Sequence, residues 1–124
     1  MQKSVSKWVN TRFGNKCLLD RKERAMRVVE EAMELAQSVG CSMLDVDVIS
    51  EHVFSRPVGN VGQEHAGTLV SLLASATANG LDLGDITRTE IERIWEIPVE
   101  KLLEKQAFKS RAGIAKYNRR EDNG

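Results

Sequence analysis

The sequence predicts an all-α protein, a bundle of four or five helices joined by short connections. Three observations predict it. Apolar residues recur at helical spacing along most of the chain. A capping residue is followed three positions later by an acid at Asp20/Glu23, Ser42/Asp45 and Thr87/Glu90. No stretch alternates apolar and polar residues at the period of a strand, and no internal repeat or glycine-rich phosphate loop is visible.

Composition narrows the class further. With 124 residues, 41% hydrophobic and 29% charged, the chain suffices for one domain with one core. Eighteen basic and eighteen acidic residues cancel, which gives neither nucleic acid nor an acidic membrane a global electrostatic hold. Cys17 and Cys41 form no CxxC pair and read as reduced thiols. The polar start and the lack of a long apolar run predict neither a signal peptide nor a membrane span, and a cytoplasmic protein is expected.

Val5, Trp8, Val9 and Phe13 place a first helix over 4–14, stopped by Gly14 and Asn15, with Trp8 anchoring it on the core. Asp20 and Gly40 bracket a second helix over 21–39. Its apolar stripe runs through Ala25, Val28, Val29, Ala32, Met33, Leu35, Ala36 and Val39, opposite Arg24, Arg27, Glu30, Glu31 and Glu34. Ser42 opens a short helix reaching about Phe54, broken by Arg56-Pro57-Val58-Gly59-Asn60. The helix over 61–79 has one face of Ala66, Leu69, Val70 and Leu73 and another of small residues, including Gly67, Ser71 and Ser75. So few charges predict burial on several sides, more than a bundle of this size covers, and hence a homo-oligomer, most simply a dimer. Asp82 to Asp85 reads as a tight connection, and Thr87 as the cap of a helix carrying Ile91, Ile94 and Trp95. Pro98 then starts a last helix with Val99, Leu102, Leu103 and Phe108. The domain spans 1–110, and residues 111–124 form a polar tail expected to be disordered.

The candidate chemistry lies in carboxylates. Glu30 and Glu34 stand one helical turn apart with Glu31 beside them, and like charges so placed repel. A divalent cation reverses the sign of that interaction. An amphipathic helix with a solvated acidic face gives the same pattern, and Arg27 can pair with Glu31 at i,i+4. Glu64 tips the balance: it is the only formally charged residue between Pro57 and Leu81. A carboxylate in so apolar a run is expected to be buried and in need of a partner.

In these residues the sequence resembles the all-α NTP pyrophosphohydrolases, the MazG-like family. Glu-Glu-x-x-Glu on one helix and Glu-x-x-Asp on a later one form that family's pattern. Here Glu30-Glu31-Ala32-Met33-Glu34 completes the first half, and Glu64-His65-Ala66-Gly67 gives the second with Gly67 in place of Asp. Helix order, the Arg56–Gly59 break and the run from Ile94-Trp95 through Lys101, Lys105 and Gln106 extend the likeness over roughly 5–110. The resemblance implies a helical bundle of this type, with subunits that associate as a dimer or higher oligomer. It implies Mg²⁺- or Mn²⁺-dependent hydrolysis of a nucleoside triphosphate, or its deoxy form, to monophosphate and pyrophosphate. By position Glu31, Glu34 and Glu64 are the metal ligands, and Glu30 is a ligand or the base that activates water. Gly67 removes one ligand, and His65 points about 100° away on the helix, too far round to replace it. The family commonly has a lysine between the two halves; here Arg56 is the only basic candidate for phosphate. Those departures open a second reading, a non-catalytic helical module of the same fold that mediates oligomerisation or partner binding.

Overall fold

The computed structural model describes residues 1–115. They form seven α-helices: α1 Gln2–Phe13, α2 Asn15–Leu19, α3 Arg21–Ser38, α4 Met43–Phe54, α5 Val61–Ala78, α6 Leu83–Glu96 and α7 Val99–Arg111. No strand occurs among the described residues, so the protein is all-α. Two compact units divide the described residues: Met1–Leu35 with residues 90–115, and Ala36–Thr89.

The first unit holds the core. Val9, Phe13, Cys17 and Leu102 are buried, with Trp8, Leu18 and Ile97 packed against them. Gly14 makes this possible: its φ of 93° ends α1 and lets α2 begin at once, so Cys17 folds back to the core. This is a helix that the Gly14-Asn15 stop signal hides. Trp8 anchors α1 as expected, donating from Nε1 to the Ile94 carbonyl at 3.1 Å and meeting Phe13 edge-on at 5.8 Å. Arg12 donates to the Trp95 carbonyl at 3.0 Å, its guanidinium 5.4 Å from the Trp95 ring centre. Pro98 starts α7 as its fixed φ predicts. The tail expected from 111 begins with Arg111 still in α7, Gly113 turning at φ 79° and Ala115 buried; residues 116–124 lie outside the described residues.

The face of α3 is a correction. Its apolar stripe was expected inward, yet Val28, Val29 and Met33 are exposed. Glu23 is buried instead, and Arg24, Arg27 and Glu30 are half-buried. Charge explains the inversion. The thiol of buried Cys17 receives a bond from Arg24 at 3.1 Å, and Glu30 meets a lysine of α7, so polar groups find partners on this side. Burial pushes the Cys17 thiol's pKa up, partly offset by the Arg24 charge, which keeps it a neutral acceptor.

The second unit uses one connection twice, 40 residues apart. After α3, Gly40 (φ 98°) turns the chain and the Cys41 N–H reaches back to Ala36 O at 3.0 Å. After α5, Gly80 (φ 68°) does the same and Leu81 N–H reaches Ala76 O at 2.9 Å. A cap follows two residues later in each. Ser42 and Asp45 form a reciprocal capping box, and the Asp82 carboxylate accepts from Asp85 N–H at 2.9 Å. The second cap corrects the start of α6: Asp82 opens the helix at Leu83, and Thr87 lies inside it. Thr87/Glu90 imitates a cap because that spacing also arises by chance within a helix. Asn60 caps α5 through Gln63 N–H at 3.0 Å.

Candidate functional site

The carboxylate motif begins in the middle of α3. Glu23, Arg27, Glu30 and Glu34 follow one another at steps of four, three and four, which puts them within about 60° on the helix. Glu31 lies about 80° from Glu23, toward the flank. Arg27 is the hub of this face. Its guanidinium reaches Glu30 Oε1 at 3.3 Å and Glu23 Oε1 at 4.0 Å, and also donates to the Ile114 carbonyl. The pairing with Glu31 that i,i+4 spacing allows is therefore not the one formed. From α7, Lys109 Nζ donates to the same Glu30 oxygen at 3.0 Å. Both cations are partly buried, with side-chain exposures of 18% for Arg27 and 29% for Lys109, so the attraction is screened less than at a surface.

Glu30 is thus held by two cations. Glu31 and Glu34 are exposed, and neither forms an ion pair among the described residues. Glu64, in the second unit, corrects the expectation of burial: it is exposed and also has no ion pair among the described residues. Its place in the first turn of α5 explains why it needs none, because the positive end of the helix dipole favours a carboxylate there. The side chain folds toward Gly59, where an added Cβ would come within 2.5 Å of Glu64 Oε1. The absent side chain at Gly59 is what admits the carboxylate. Gly67, one turn on, has nothing within 4 Å of an added Cβ. The His65 ring points elsewhere, its Nδ1 2.7 Å from Val61 O. Arg56, exposed in the α4–α5 connection, forms no ion pair among the described residues.

Among the described residues no three of His, Cys, Asp and Glu gather closely enough to hold a metal ion. Glu30, Glu31 and Glu34 of α3 therefore form no metal cage by themselves. What the structure does bring together is Glu30 with Arg27 and Lys109. Arg27 was legible as a neighbour three residues from Glu30; Lys109, 79 residues away, gives no signal in the sequence. Compared with known proteins, the chain matches no family model, no curated protein and no solved structure.

Proposed function

We propose that the chain is a nucleoside triphosphate pyrophosphohydrolase, cleaving an NTP or dNTP to the monophosphate and pyrophosphate with Mg²⁺ or Mn²⁺ as cofactor. The observation that carries this reading is the sorting of charge on and around α3. Glu31 and Glu34 have no cation among the described residues, nor has Glu64 in the second unit, whereas Arg27 and Lys109 converge on Glu30. Carboxylates without cations suit metal ligands, and the two partly buried cations on Glu30 suit a polyphosphate. Arg27 Nε is buried with no hydrogen-bond acceptor among the described residues, a donor that a phosphate oxygen satisfies.

This arrangement also gives Glu30 a conditional role. Arg27 and Lys109 both hold the same Glu30 oxygen, so that oxygen is occupied while they stay there. A triphosphate outcompetes one carboxylate for Arg27 and Lys109, and Glu30 is then released to take a proton from water. Arg56 is the remaining candidate for phosphate, on the connection preceding α5. The test is pyrophosphate release from canonical and damaged nucleotides with Mg²⁺ and Mn²⁺. Release with at least one nucleotide, abolished by Glu34→Gln, supports the reading. No release with any nucleotide, together with an unchanged melting temperature on adding either metal, overturns it.

A second reading, the non-catalytic helical module, is favoured by a different observation: the apolar helices α4 and α5 stand exposed along most of their length. Metal affinity separates the two readings, since only the enzyme requires it.

A further inference from the structure

We propose that the first unit binds the phosphate backbone of duplex nucleic acid through the exposed cations of α1, α2 and the start of α3. The proposal stands whether or not the chain hydrolyses nucleotides. The zero net charge of the chain conceals a division between its units. Ala36–Thr89 carries six acids and two bases, a net −4, whereas the described residues of the first unit carry thirteen bases and ten acids, a net +3. That excess gathers at the start of the chain. From Met1 to Val29 the exposed charged residues are Lys3, Lys7, Lys16, Arg21 and Lys22, and all five are cations.

Packing turns these cations outward and leaves them unpaired. Trp8, Val9 and Phe13 commit one side of α1 to the core. Lys7 lies about 160° round the helix from Val9, and Lys3 about 120°. Lys16 stands next to buried Cys17, and Arg21 lies about 160° from buried Glu23. The two acids of this stretch are engaged elsewhere. Glu23 is buried beside Arg24 at 3.9 Å and Arg27 at 4.0 Å. Asp20 is half-buried and accepts from Glu23 N–H at 3.0 Å. None of the five cations forms an ion pair among the described residues. Arg88 and Arg93, by contrast, each meet an acid one turn away on α6.

A polyanion complements this surface, and its chemistry favours a nucleic-acid duplex. Closely spaced phosphates meet several cations at once, and release of their counterions drives binding even where each contact is weak. An anionic membrane is held by a basic helix that also inserts an apolar face. The apolar side of α1 is already packed in the core. Single strands are held largely by stacking of bases on aromatic side chains. The aromatics of this stretch are Trp8, half-buried, and Phe13, buried. Contacts to phosphate carry no sequence information, so binding should show no sequence preference.

Fluorescence anisotropy of a short labelled DNA duplex, titrated with the full chain, tests this. Five cations each meeting one phosphate give a slope of about −4.5 for log affinity against log salt. Affinity should then fall on the order of 500-fold for a fourfold rise in salt. Lys3→Gln, Lys7→Gln and Lys16→Gln together should bring the slope to about −2 and weaken binding at low salt, with helical content unchanged. Lys101→Gln with Lys105→Gln, on α7 beside Glu100 and Glu104, should leave slope and affinity near those of wild type. A duplex of scrambled sequence should bind as well as the first. If the triple variant loses helicity, the wild-type slope and the α7 control still decide. Absence of binding at low salt overturns the proposal, as does a slope near zero, an equal loss in the triple variant and the α7 control, or preference for a single strand of the same length. Flotation with phosphatidylserine vesicles in the absence of duplex binding overturns it in favour of a lipid surface.

Discussion

The first unit is built from the more polar helices and holds a core; the second contains the most apolar helices and has almost none. Cys17, fully buried, is surrounded by residues of α1, α2 and α7. In the second unit Ala76 is the one buried residue among those described, although α5 carries a single formal charge in 18 residues. Apolar composition therefore does not create a core. A core needs elements that converge from several directions, and the first unit gets them from the immediate restart at Gly14 and from α7 folding back on α1. The second unit offers connections with well-formed caps and little to pack between them. Its apolar surface is matter for another surface to cover.

The largest effect should follow from breaking the core that exists. Phe13→Ala removes a ring that packs against Trp8 and is only 9% exposed, so it should cost about 3–5 kcal/mol in urea unfolding. Leu73→Ala should cost only about 1 kcal/mol in dilute protein, because half its surface already meets water. Its cost should grow with protein concentration if a second copy covers it. Equal costs for the two at low concentration would erase the contrast between the units.

The next effect concerns the polar face of α3. Glu30→Gln leaves Arg27 and Lys109 facing each other without their shared anion. These groups are partly buried, so the cost should lie between that of surface and fully buried pairs, about 1–2 kcal/mol. Lys109→Met should cost less, because Arg27 remains on Glu30. Thermal unfolding of the two variants checks the order. A neutral Glu30→Gln would mean that the ion pair contributes no net stability to the first unit.

Much of this architecture could be read in advance, and the misses share one cause. Helix type and most boundaries follow from local signals: Asp20, Ser42 and Pro98 each mark a start, and Gly40 and Gly80 each mark a stop. The start of α6 was missed because two overlapping cap-like patterns, Asp82/Asp85 and Thr87/Glu90, compete within a few residues. The inward face of α3 was missed for a deeper reason. Periodicity shows that a helix has two faces, but which one packs depends on what arrives opposite, here Cys17 and Lys109. The same limit applies to the candidate site. The glutamates of Glu-Glu-x-x-Glu are visible in sequence, while the cations that occupy Glu30 and leave Glu31 and Glu34 without one are fixed by tertiary contact.

The caps of the second unit should give smaller effects. Ser42→Ala and Asp82→Ala each remove a side-chain acceptor for a helix-start N–H and should cost about 1 kcal/mol. The first cap is also sensitive to pH. Donation from the Ser42 backbone N–H, and then from its hydroxyl, holds the Asp45 carboxyl below its ordinary value of 3.8. A depressed folded-state pKa gives stability that is complete above the unfolded value and lost as pH falls through the folded one. Helicity of wild type should therefore decline below about pH 4, and Asp45→Asn should remove that part of the decline. An Asp45→Asn titration identical to wild type would show that the box does not hold α4.

The smallest structural effect, and the sharpest functional one, is expected at Gly67. Nothing lies within 4 Å of a Cβ placed there, so Gly67→Asp meets no steric obstacle within the protomer. Aspartate and glycine differ by only a few tenths of a kcal/mol in helix propensity, and stability should stay within about 0.5 kcal/mol of wild type. The new carboxylate would sit one turn from Glu64, which has no cation among the described residues, and like charges at that spacing disfavour each other slightly in the absence of metal. A divalent ion reverses that penalty. Mn²⁺ should then raise the melting temperature of Gly67→Asp more than that of wild type, and Glu64→Gln in the same background should cancel the gain. If Mn²⁺ stabilises both proteins equally, position 67 does not face a metal site. If it stabilises neither at millimolar concentration, α5 is an interaction helix whose exposed surface serves association alone.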